Sequence, residues 1–376
     1  MKNKFFEEVK GNFGFGFMRL PKIEEEVDYE QTCKMVDAFM ESGFNYFDTA
    51  HNYIKGKSEI ALRECLVKRY PRESFLIVDK LTPSFFNSEE EIRPLFQEQL
   101  DAVGVDYFDF YLMHAQDAEY FEKYKKCRAY ETAFDLKKEG KIKHVGFSFH
   151  DTPEVLDQIL TEYPEFEVVQ IQLNYLDYDS PSVQARKCYE VCVKHNKPVI
   201  IMEPVKGGNL VNFTPEAQAV FDELEGGSNA SYAIRFAAGF DNVMMVLSGM
   251  SNMEQVEDNI SFMKEFKPLS EKEMEAVWKV CDIIKEQNSI PCTACRYCVD
   301  GCPMKIDIPS VFADLNLKKV YKSWSAGDSY KEHTKEGGKA SECIKCGKCE
   351  KICPQHLEIR KLLEEVAEAF EEKKEA

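Results

Sequence analysis

Short apolar runs alternate with longer stretches of helical spacing from residue 12 to about residue 265. Most of the runs lack an alternation of polar and apolar residues, as is typical of strands buried on both faces of a sheet. The runs predict eight strands, at residues 13–18, 44–48, 75–80, 107–114, 143–148, 167–172, 198–203 and 242–248. The stretches between these strands predict helices.

Cap residues mark where the predicted helices begin and end. In "SEEEIRPLFQEQLDAVG", Ser88 is a candidate N-cap with Glu91 three positions later, which is the pattern of a capping box. Gly43, Gly104 and Gly140 lie where helices should stop, because glycine readily adopts the left-handed conformation that ends many helices. Eight β-α units in about 250 residues predict an α/β protein with a (β/α)8 barrel, or TIM barrel.

A doubly wound open sheet is the alternative fold for alternating strands and helices. That fold would need a glycine-rich phosphate loop after its first strand. The segment "GFGFMR" offers only G-x-G, the third glycine is missing, and no helix follows at once. The barrel is therefore the favoured prediction.

The pattern changes after residue 267. One more amphipathic helix is predicted there, followed by two cysteine runs, a lysine-rich stretch between them, and a terminal helix. We therefore predict a barrel domain at 1–266, a connecting helix at 267–290 and a ferredoxin-like domain at 291–376.

Eight of the fourteen cysteines fall in two runs, "CTACRYCVDGCP" and "CIKCGKCEKICP". Each reads C-x2-C-x2-C-x3-C-P, the spacing of two-cluster ferredoxins, in which the fourth cysteine of each run binds the other cluster. Two [4Fe–4S] clusters are predicted, the first held by Cys292, Cys295, Cys298 and Cys353 and the second by Cys343, Cys346, Cys349 and Cys302. Structural zinc is the alternative, but zinc has no use for three cysteines plus a fourth Cys-Pro, repeated twice.

The net charge of −18 narrows the choice of partners. It argues against a nucleic-acid or anionic-membrane surface, because either would need a basic face. No segment approaches the roughly 20 apolar residues of a membrane span. The first residues include acidic side chains and no apolar core of a signal peptide. We expect no nucleic-acid or membrane partner and a cytoplasmic location.

Ionisable residues follow three successive predicted strands. In a (β/α)8 barrel, catalytic groups lie at the C-terminal ends of strands, and here those ends carry Asp48, Lys80 and His114, with Tyr53 five residues after Asp48. A lysine ammonium beside a phenol lowers the phenol pKa from its usual value near 10. A tyrosine tuned in this way can act as general acid to a carbonyl oxygen that the histidine orients.

The barrel pattern together with "FDTAHNY", "VDK" and "YLMH" resembles the aldo/keto reductase family. The resemblance covers about residues 10–265 and implies a catalytic tetrad of Asp48, Tyr53, Lys80 and His114. With the cysteine runs included, the chain is similar to the iron–sulfur-containing branch of that family. The resemblance implies an oxidoreductase that acts on a small carbonyl compound or alcohol, with a nicotinamide nucleotide bound at the barrel mouth.

The resemblance also implies contacts to the nicotinamide, with two departures. The family commonly uses Ser-Asn after the fifth strand and Gln on the sixth, which gives Ser148 and Gln172 here, although Phe149 stands where Asn is usual. Met202 stands where an aromatic residue usually stacks on the nicotinamide ring. Its thioether can still cover the face of a ring.

The nucleotide phosphates are expected at the loops after the seventh and eighth strands. The segments "VKGGNL" and "SGMSNMEQVEDN" supply glycine backbone and a helix N-terminus, which suit an anion. The residues implied are Gly207, Gly208, Ser248, Gly249, Ser251, Asn252, Gln255 and Asn259. The family usually grips the 2′-phosphate of NADP with Lys or Arg in the second segment. That segment has neither here, so NAD(H) is favoured over NADP(H).

Three functions remain open from the sequence. The first is NAD(P)-linked reduction of a carbonyl or oxidation of an alcohol, with the clusters structural or regulatory. The second is an electron-transfer enzyme whose clusters exchange electrons with the barrel and with an external carrier of the ferredoxin or flavodoxin type. The third is a non-enzymatic protein on a decayed barrel, against which the intact tetrad argues. The stretch between the cysteine runs is most simply a solvated loop, and a docking patch for an acidic carrier is the alternative hypothesis for its lysines, Lys318, Lys319, Lys322, Lys331, Lys335 and Lys339.

Overall fold

Eight parallel strands close into a barrel, with the first strand hydrogen-bonded to both the second and the last. The structure is a computed structural model that describes residues 3–371 apart from 225, 288, 321, 322 and 324. The strands are β1 (Phe13–Gly16), β2 (Tyr46–Asp48), β3 (Leu76–Leu81), β4 (Phe108–Gln116), β5 (Ile142–Phe149), β6 (Val168–Gln172), β7 (Val199–Met202) and β8 (Val243–Ser248). The predicted fold class is confirmed, and each predicted strand is found to within two residues at either end.

Large apolar side chains fill the barrel, as expected for a packed core. Tyr46, Phe110 and Leu247 belong to one fully buried cluster, which Val9 joins from the N-terminal segment. Closure also needs a small residue in β1. A Cβ on Gly14 would lie 2.8 Å from Leu247 and 2.9 Å from Tyr46, so any other residue there would disturb the packing between β1, β2 and β8.

Helices connect the strands and continue beyond the barrel. They are α1 (Tyr29–Glu41), α2 (Lys57–Leu62), α3 (Ile92–Val103), α4 (Ala118–Lys126), α5 (Ala129–Lys138), α6 (Pro153–Glu162), α7 (Ala185–Lys194), α8 (Pro215–Asp222), α9 (Asn229–Ala238), α10 (Met253–Met263), α11 (Glu271–Glu286), α12 (Tyr297–Asp300), α13 (Ile308–Lys319), α14 (Ala326–His333), α15 (Lys348–Lys351) and α16 (Ile359–Phe370). In the described part of the chain, none of the helices combines the length and apolar character needed to cross a bilayer. A short hairpin pairs Lys22–Ile23 with Glu26–Val27.

The predicted helix ends are found, but one predicted cap is not. Gly43, Gly104 and Gly140 have left-handed φ angles of 97°, 79° and 76° after α1, α3 and α5. The capping box of Ser88 and Glu91 does not form. A 3-10 turn precedes α3, the Ser88 side chain makes no cap hydrogen bond, and Glu91 Oε2 accepts from Asn87 N at 2.6 Å. The tighter turn moves Glu91 away from the position that the capping box requires.

The chain divides into two compact units, and the predicted domain bounds stay a prediction. The first unit comprises residues 1–204 and 230–270, and the second comprises 205–229 and 271–376. The sequence assigned 205–229 to the barrel and 267–290 to a connecting helix. In the structure, α8 packs against α11, and Gln287 Nε2 donates to Thr214 Oγ1 at 2.6 Å. These contacts explain why residues 205–229 and α11 group with the cysteine runs.

The second unit has its own buried core. Ile308, Phe312 and Leu315 on α13 are fully buried together with Leu363 and Val366 on α16. The cysteines of both runs pack against this core. The predicted terminal helix is thus present as α16, and its apolar side supports the region around the cysteines.

Candidate active site and cysteine-lined cavities

Three neighbouring strands bring the predicted tetrad together. Asp48 ends β2, Lys80 is the penultimate residue of β3, and His114 lies near the end of β4. The strands β2, β3 and β4 are consecutive hydrogen-bonded neighbours, so these side chains emerge at the same end of the barrel. Tyr53 begins a 3-10 turn, Tyr53–Gly56, that follows β2.

Lys80 is the centre of the tetrad. Its ammonium Nζ lies 2.7 Å from Asp48 Oδ1 and donates to Thr49 O at 2.6 Å, with both charged side chains buried. The same Nζ lies 4.9 Å from the centroid of the Tyr53 ring. Burial raises the pKa of the Asp48 carboxyl, and the adjacent Lys80 ammonium opposes that rise. The pair therefore fixes a positive charge beside the phenol.

His114 is a buried ring beside Tyr53. Its centroid is 6.0 Å from that of Tyr53 in an edge-on arrangement, and its Nδ1 is 2.8 Å from Thr82 Oγ1. Burial lowers the pKa of His114 well below its ordinary value of 6.5, and the charges of Lys80 and His150 lower it further. The ring is therefore neutral near pH 7 and can hydrogen-bond a substrate oxygen without carrying charge.

The neutral state of His114 predicts a loss of stability in mild acid. The unfolded chain gains a proton at His114 below about pH 6.5, whereas the folded protein does not, so the free energy of unfolding falls as the pH drops from that value. We expect urea unfolding between about pH 7.5 and about pH 5 to show this loss, and His114→Gln to show less of it. Equal pH slopes in the two proteins would contradict a buried neutral ring.

The predicted carboxamide contacts lie at the ends of β5 and β6. Ser148 Oγ accepts from Ala115 N at 2.8 Å, which leaves the hydroxyl proton as a donor. Gln172 Oε1 lies 3.2 Å from His150 Nδ1. Within the described residues, the buried Gln172 Nε2 has no hydrogen-bond partner. A buried N–H without a partner costs stability, so a bound carboxamide oxygen would suit this atom.

Met202 ends β7 and is half-buried. The next residue, Glu203, has a left-handed φ of 57°, and its carbonyl accepts from Asn174 Nδ2 at 3.1 Å. The turn at Glu203 redirects the chain immediately after Met202. The role of Met202 as a cover for the nicotinamide ring stays a prediction.

The predicted phosphate segment after β8 begins α10, and its side chains are hydrogen-bonded to one another. Asn252 Oδ1 accepts from Gln255 N at 2.9 Å, and Gln255 Oε1 accepts from Ser251 N at 2.7 Å. Asn259 Nδ2 donates to Ser248 Oγ at 2.8 Å in a buried contact. The helix N-terminus is therefore capped by the chain itself, and its phosphate contacts stay predictions.

An arginine that lies far away in the sequence is adjacent to this segment. The side-chain carbons of Arg19 lie 3.3 Å from the position of a Cβ on Gly249, and Ser251 Oγ donates to Arg19 O at 2.7 Å. A search for a cation confined to residues 248–259 misses Arg19. Closure of the barrel is the signal that finds it, because closure places the end of β1 beside β8.

Each predicted set of four cysteines lines its own cavity in the second unit. The first cavity is lined by Cys292, Cys295, Cys298 and Cys353, and the second cavity by Cys302, Cys343, Cys346 and Cys349. Each contains about 330 Å³ of space free of atoms, including space open to solvent. The fourth cysteine of each run thus joins the first three of the other run, which is the arrangement predicted for two clusters.

Structural zinc is the alternative occupant of the cysteine sets. Zinc–sulfur bonds of about 2.3 Å would draw four sulfurs close around one ion. Among the residues that the structure describes, no three His, Cys, Asp or Glu side chains converge enough to share a single ion.

A loop that the sequence assigned to the barrel contacts the first cysteine run. We call residues 206–209 the 206–209 loop. Asn209 Nδ2 donates to Cys292 O at 3.0 Å. Gly207 has a left-handed φ of 63°, and a Cβ added to it would lie 2.8 Å from Thr293 Cα. The neighbouring Gly208 also has a left-handed φ, of 99°, but a Cβ there would meet nothing within 4 Å.

Lys206 extends this contact to the second run. The side chain is 2% exposed, and its Nζ donates to Gln355 Oε1 at 2.7 Å. Gln355 follows the Cys353-Pro354 pair and lines the first cavity. The 206–209 loop therefore touches both segments that supply cysteines to the first cavity. The predicted phosphate contacts of Gly207 and Gly208 stay untested.

The lysines between the cysteine runs are largely engaged within the second unit. Lys318 donates to Ala369 O. Three others form ion pairs, Lys319 with Glu365, Lys331 with Asp328 and Lys335 with Glu332. Lys322 lies outside the described residues. These pairs reduce the positive charge that this stretch presents to a partner.

Two family models match this chain, one over the barrel region and one over the cysteine runs. The family model described as "Aldo/keto reductase family" matches residues 12–282, and the one described as "4Fe-4S dicluster domain" matches residues 291–358. An aldo-keto reductase from Mycobacterium avium (strain 104) is 27% identical over 235 residues, which cover 61% of this chain and 75% of that protein. The NADH-specific methylglyoxal reductase of Escherichia coli (strain K12) is 26% identical over 222 residues, which cover 54% of this chain and 63% of that protein.

Solved structures share the barrel. The holo form of an aldo-keto reductase from Bacillus halodurans matches with a TM-score of 0.62 at 22% identity, covering 74% of this chain and 95% of that one. An aldo-keto reductase from Klebsiella pneumoniae in complex with NADPH matches with a TM-score of 0.59 at 18% identity, covering 72% and 95%. At these identities, the likeness concerns the fold.

Proposed function

Because the chain belongs to the aldo/keto reductase family and carries a 4Fe-4S dicluster domain, we propose that it reduces a small carbonyl compound, or oxidises the corresponding alcohol, with a nicotinamide nucleotide. The observation that carries this proposal is the buried Lys80 ammonium, which is 2.7 Å from Asp48 Oδ1 and 4.9 Å from the Tyr53 ring centroid. A lysine ammonium beside a tyrosine stabilises the phenolate, and this arrangement therefore suits proton transfer from the phenol.

In the reductive direction, the Tyr53 hydroxyl donates its proton to the substrate oxygen. The Lys80 ammonium stabilises the phenolate that remains, and Asp48 holds that ammonium in place through its 2.7 Å hydrogen bond. In the tautomer in which Thr82 donates to Nδ1, the neutral His114 carries its proton on Nε2 and can donate a hydrogen bond to the same substrate oxygen. In the oxidative direction, the same groups accept the proton from the alcohol.

A nicotinamide nucleotide fits the polar groups that stand at the ends of the next strands. When bound, it supplies or accepts the hydride at the substrate carbon. The donors available for its carboxamide are the Ser148 hydroxyl and the buried Gln172 Nε2. Relatives differ in the nucleotide that their names record, since the E. coli protein is NADH-specific and the K. pneumoniae structure contains NADPH. Residues 248–259 contain no Lys or Arg, which favours NAD(H) unless Arg19, whose side chain lies beside Gly249, supplies the cation for a 2′-phosphate.

Arg19 gives the choice between NAD(H) and NADP(H) a direct test. A bound 2′-phosphate beside Gly249 and Ser251 would have this guanidinium as its cation. We expect Arg19→Leu to weaken NADPH binding about tenfold or more and NADH binding much less, measured by anaerobic fluorescence titration. Lys22→Leu, an exposed change in the nearby hairpin, is the matched control. Equal loss for both nucleotides would assign Arg19 to the shared pyrophosphate, and no loss would remove it from the site.

The cysteine sets suit two [4Fe–4S] clusters, with Cys292, Cys295, Cys298 and Cys353 at the first cavity and Cys302, Cys343, Cys346 and Cys349 at the second. Such clusters accept and release single electrons. A second candidate function follows, in which the chain exchanges electrons between its barrel and an external carrier. Exposure of Cys346 favours this candidate, because it gives a carrier access to the second cluster.

An anaerobic titration distinguishes the two candidates. Protein holding about eight irons per chain is mixed with NADH or NADPH while nucleotide and cluster absorbance are recorded together. Under the first proposal, a carbonyl substrate oxidises the nucleotide and the cluster absorbance stays constant. Bleaching of the clusters by the nucleotide would favour the second candidate. If the protein binds neither NADH nor NADPH, the proposed nicotinamide-dependent reaction is contradicted. A cytoplasmic location stays a prediction.

A further inference from the structure

We propose that the second cysteine run forms a docking surface for a small acidic electron-carrier protein. The surface, here called the Cys346 surface, consists of Ile344, Cys346, Lys348, Lys351 and Ile352. The inference rests on the second cluster of the proposed function, and it assigns the carrier a place on this chain. The location differs from the lysine-rich stretch between the runs, in which Lys319, Lys331 and Lys335 form ion pairs.

The second cysteine run has an exposed cysteine and two exposed isoleucines. Of the fourteen cysteines, all of which the structure describes, Cys346 alone is exposed, whereas Cys298 in the first run is buried. Ile344 is 59% exposed and Ile352 is 47% exposed. Isolated exposed isoleucines are common, but two of them flanking a solvent-accessible cluster ligand within ten residues form a candidate contact area.

The charge of the second run differs from that of the first. The second run contains three lysines and one glutamate, and the first contains one arginine and one aspartate. Lys345 pairs with Glu364 at 2.5 Å, and Glu350 pairs with Arg360 at 2.7 Å. Among the described residues, Lys348 and Lys351 form no ion pair, and both are exposed. Lys348 and Lys351 follow the exposed Cys346 in the sequence, and neither ammonium has an ion-pair partner in the described part of the chain.

An acidic protein carrier fits this surface better than the other possible occupants. Lysines at the edge of an apolar contact attract an acidic partner and orient it, even on a chain whose net charge is −18. A second copy docked through the same face would place Lys348 and Lys351 against the same two lysines, and like charges repel. An anionic membrane usually requires a cluster of four to eight basic residues, two to four times the two lysines here. An exposed cluster ligand is useful to a protein that exchanges electrons.

Docking would permit the transfer of one electron between the carrier and this chain, and no further oxidant or reductant is needed. Cys302, Cys343, Cys346 and Cys349 would hold the cluster, which would be reduced by one electron while the reduced iron of the carrier would be oxidised by one. No bond is broken and no proton is required. The carrier is identified only by this chemistry, a small acidic protein with a low-potential one-electron centre.

The test measures binding apart from turnover. The full-length, iron-loaded protein is titrated calorimetrically with an oxidised acidic [2Fe–2S] ferredoxin at low ionic strength. We expect Lys348→Glu/Lys351→Glu to raise the Kd about tenfold or more. The matched control, Lys126→Glu/Lys264→Glu, changes the net charge equally at exposed lysines of the first unit and should change the Kd little. Iron content and the EPR signal of reduced clusters are checked in all three proteins.

Three results would overturn the proposal. The first is equal Kd values in the native protein, the variant and the control. The second is no binding at all by the native protein at low ionic strength. The third is a native dimer in sedimentation experiments that the Lys348→Glu/Lys351→Glu variant no longer forms, since that would assign the surface to a second copy. Carbonyl reduction by NAD(P)H is followed in parallel, and its loss or retention tests the proposed function separately from docking.

Discussion

Tyr53→Phe is expected to lower kcat for carbonyl reduction by about a hundredfold to ten-thousandfold, the range associated with loss of a general acid. The substitution removes the phenolic proton and keeps the ring. Lys80, whose Nζ lies 4.9 Å from the ring centroid, retains its aromatic neighbour and its ion pair with Asp48. The loss should therefore appear in the chemical step and not in the stability of the site. Steady-state kinetics with NADH and NADPH measure it.

The controls for Tyr53→Phe separate chemistry from folding. Tyr120→Phe removes a hydroxyl from a half-buried tyrosine on α4, outside the tetrad, and should leave kcat unchanged. Iron content should be the same in both variants and the native protein, because the tetrad belongs to the first unit and the cysteines to the second. If Tyr53→Phe keeps the native kcat, the tetrad does not supply the proton.

Gly207→Ala is expected to lower the iron content from about eight per chain toward about four, with loss of the EPR signal of the first cluster. An added Cβ would lie 2.8 Å from Thr293 Cα, against the backbone of the run that carries Cys292. Such overpacking costs about 1–3 kcal/mol. The left-handed φ of 63° adds about 1–2 kcal/mol for any residue with a side chain. Iron analysis, EPR and thermal unfolding measure the combined effect.

Gly208→Ala is the matched control for that prediction. It places the same methyl group one residue further on, at a left-handed φ of 99°, where nothing lies within 4 Å. The conformational cost of about 1–2 kcal/mol is shared, and the clash is absent. Normal iron content in Gly208→Ala together with low iron content in Gly207→Ala assigns the effect to the contact with Thr293. Equal iron content in the two variants would contradict a role for the 206–209 loop in holding the first cavity.

Periodicity and spacing predicted most of the fold and both groups of reactive residues. The strands were predictable because each is a short apolar run between helices. Parallel strands that are buried on both faces need apolar residues at nearly every position. The tetrad was predictable because strand ends in a barrel all lie on one face, so position in the strand determines position in the site. The exchange of fourth cysteines between runs followed from ligand spacing alone.

Long-range contacts between irregular segments could not be predicted in this way. Arg19 reaches Gly249 because the barrel closes, which no local pattern records. The 206–209 loop resembles a phosphate loop in sequence, and only its hydrogen bonds to Cys292 and Gln355 group it with the second unit. The cap at Ser88 failed for a local reason, since three successive glutamates adopt a 3-10 turn before α3.

The discontinuous second unit has a consequence for how the protein is made and how it can be divided. Residues 205–229 are synthesised about 60 residues before Cys292. At a translation rate of about 5–20 residues per second, Cys292 follows them roughly 3–12 seconds later. The segment from residue 271 onward is therefore not a complete domain that could be moved to another protein by itself. A fragment that begins at residue 271 lacks Lys206, Gly207 and Asn209, and a barrel cut at residue 290 leaves them without the backbone that they bind.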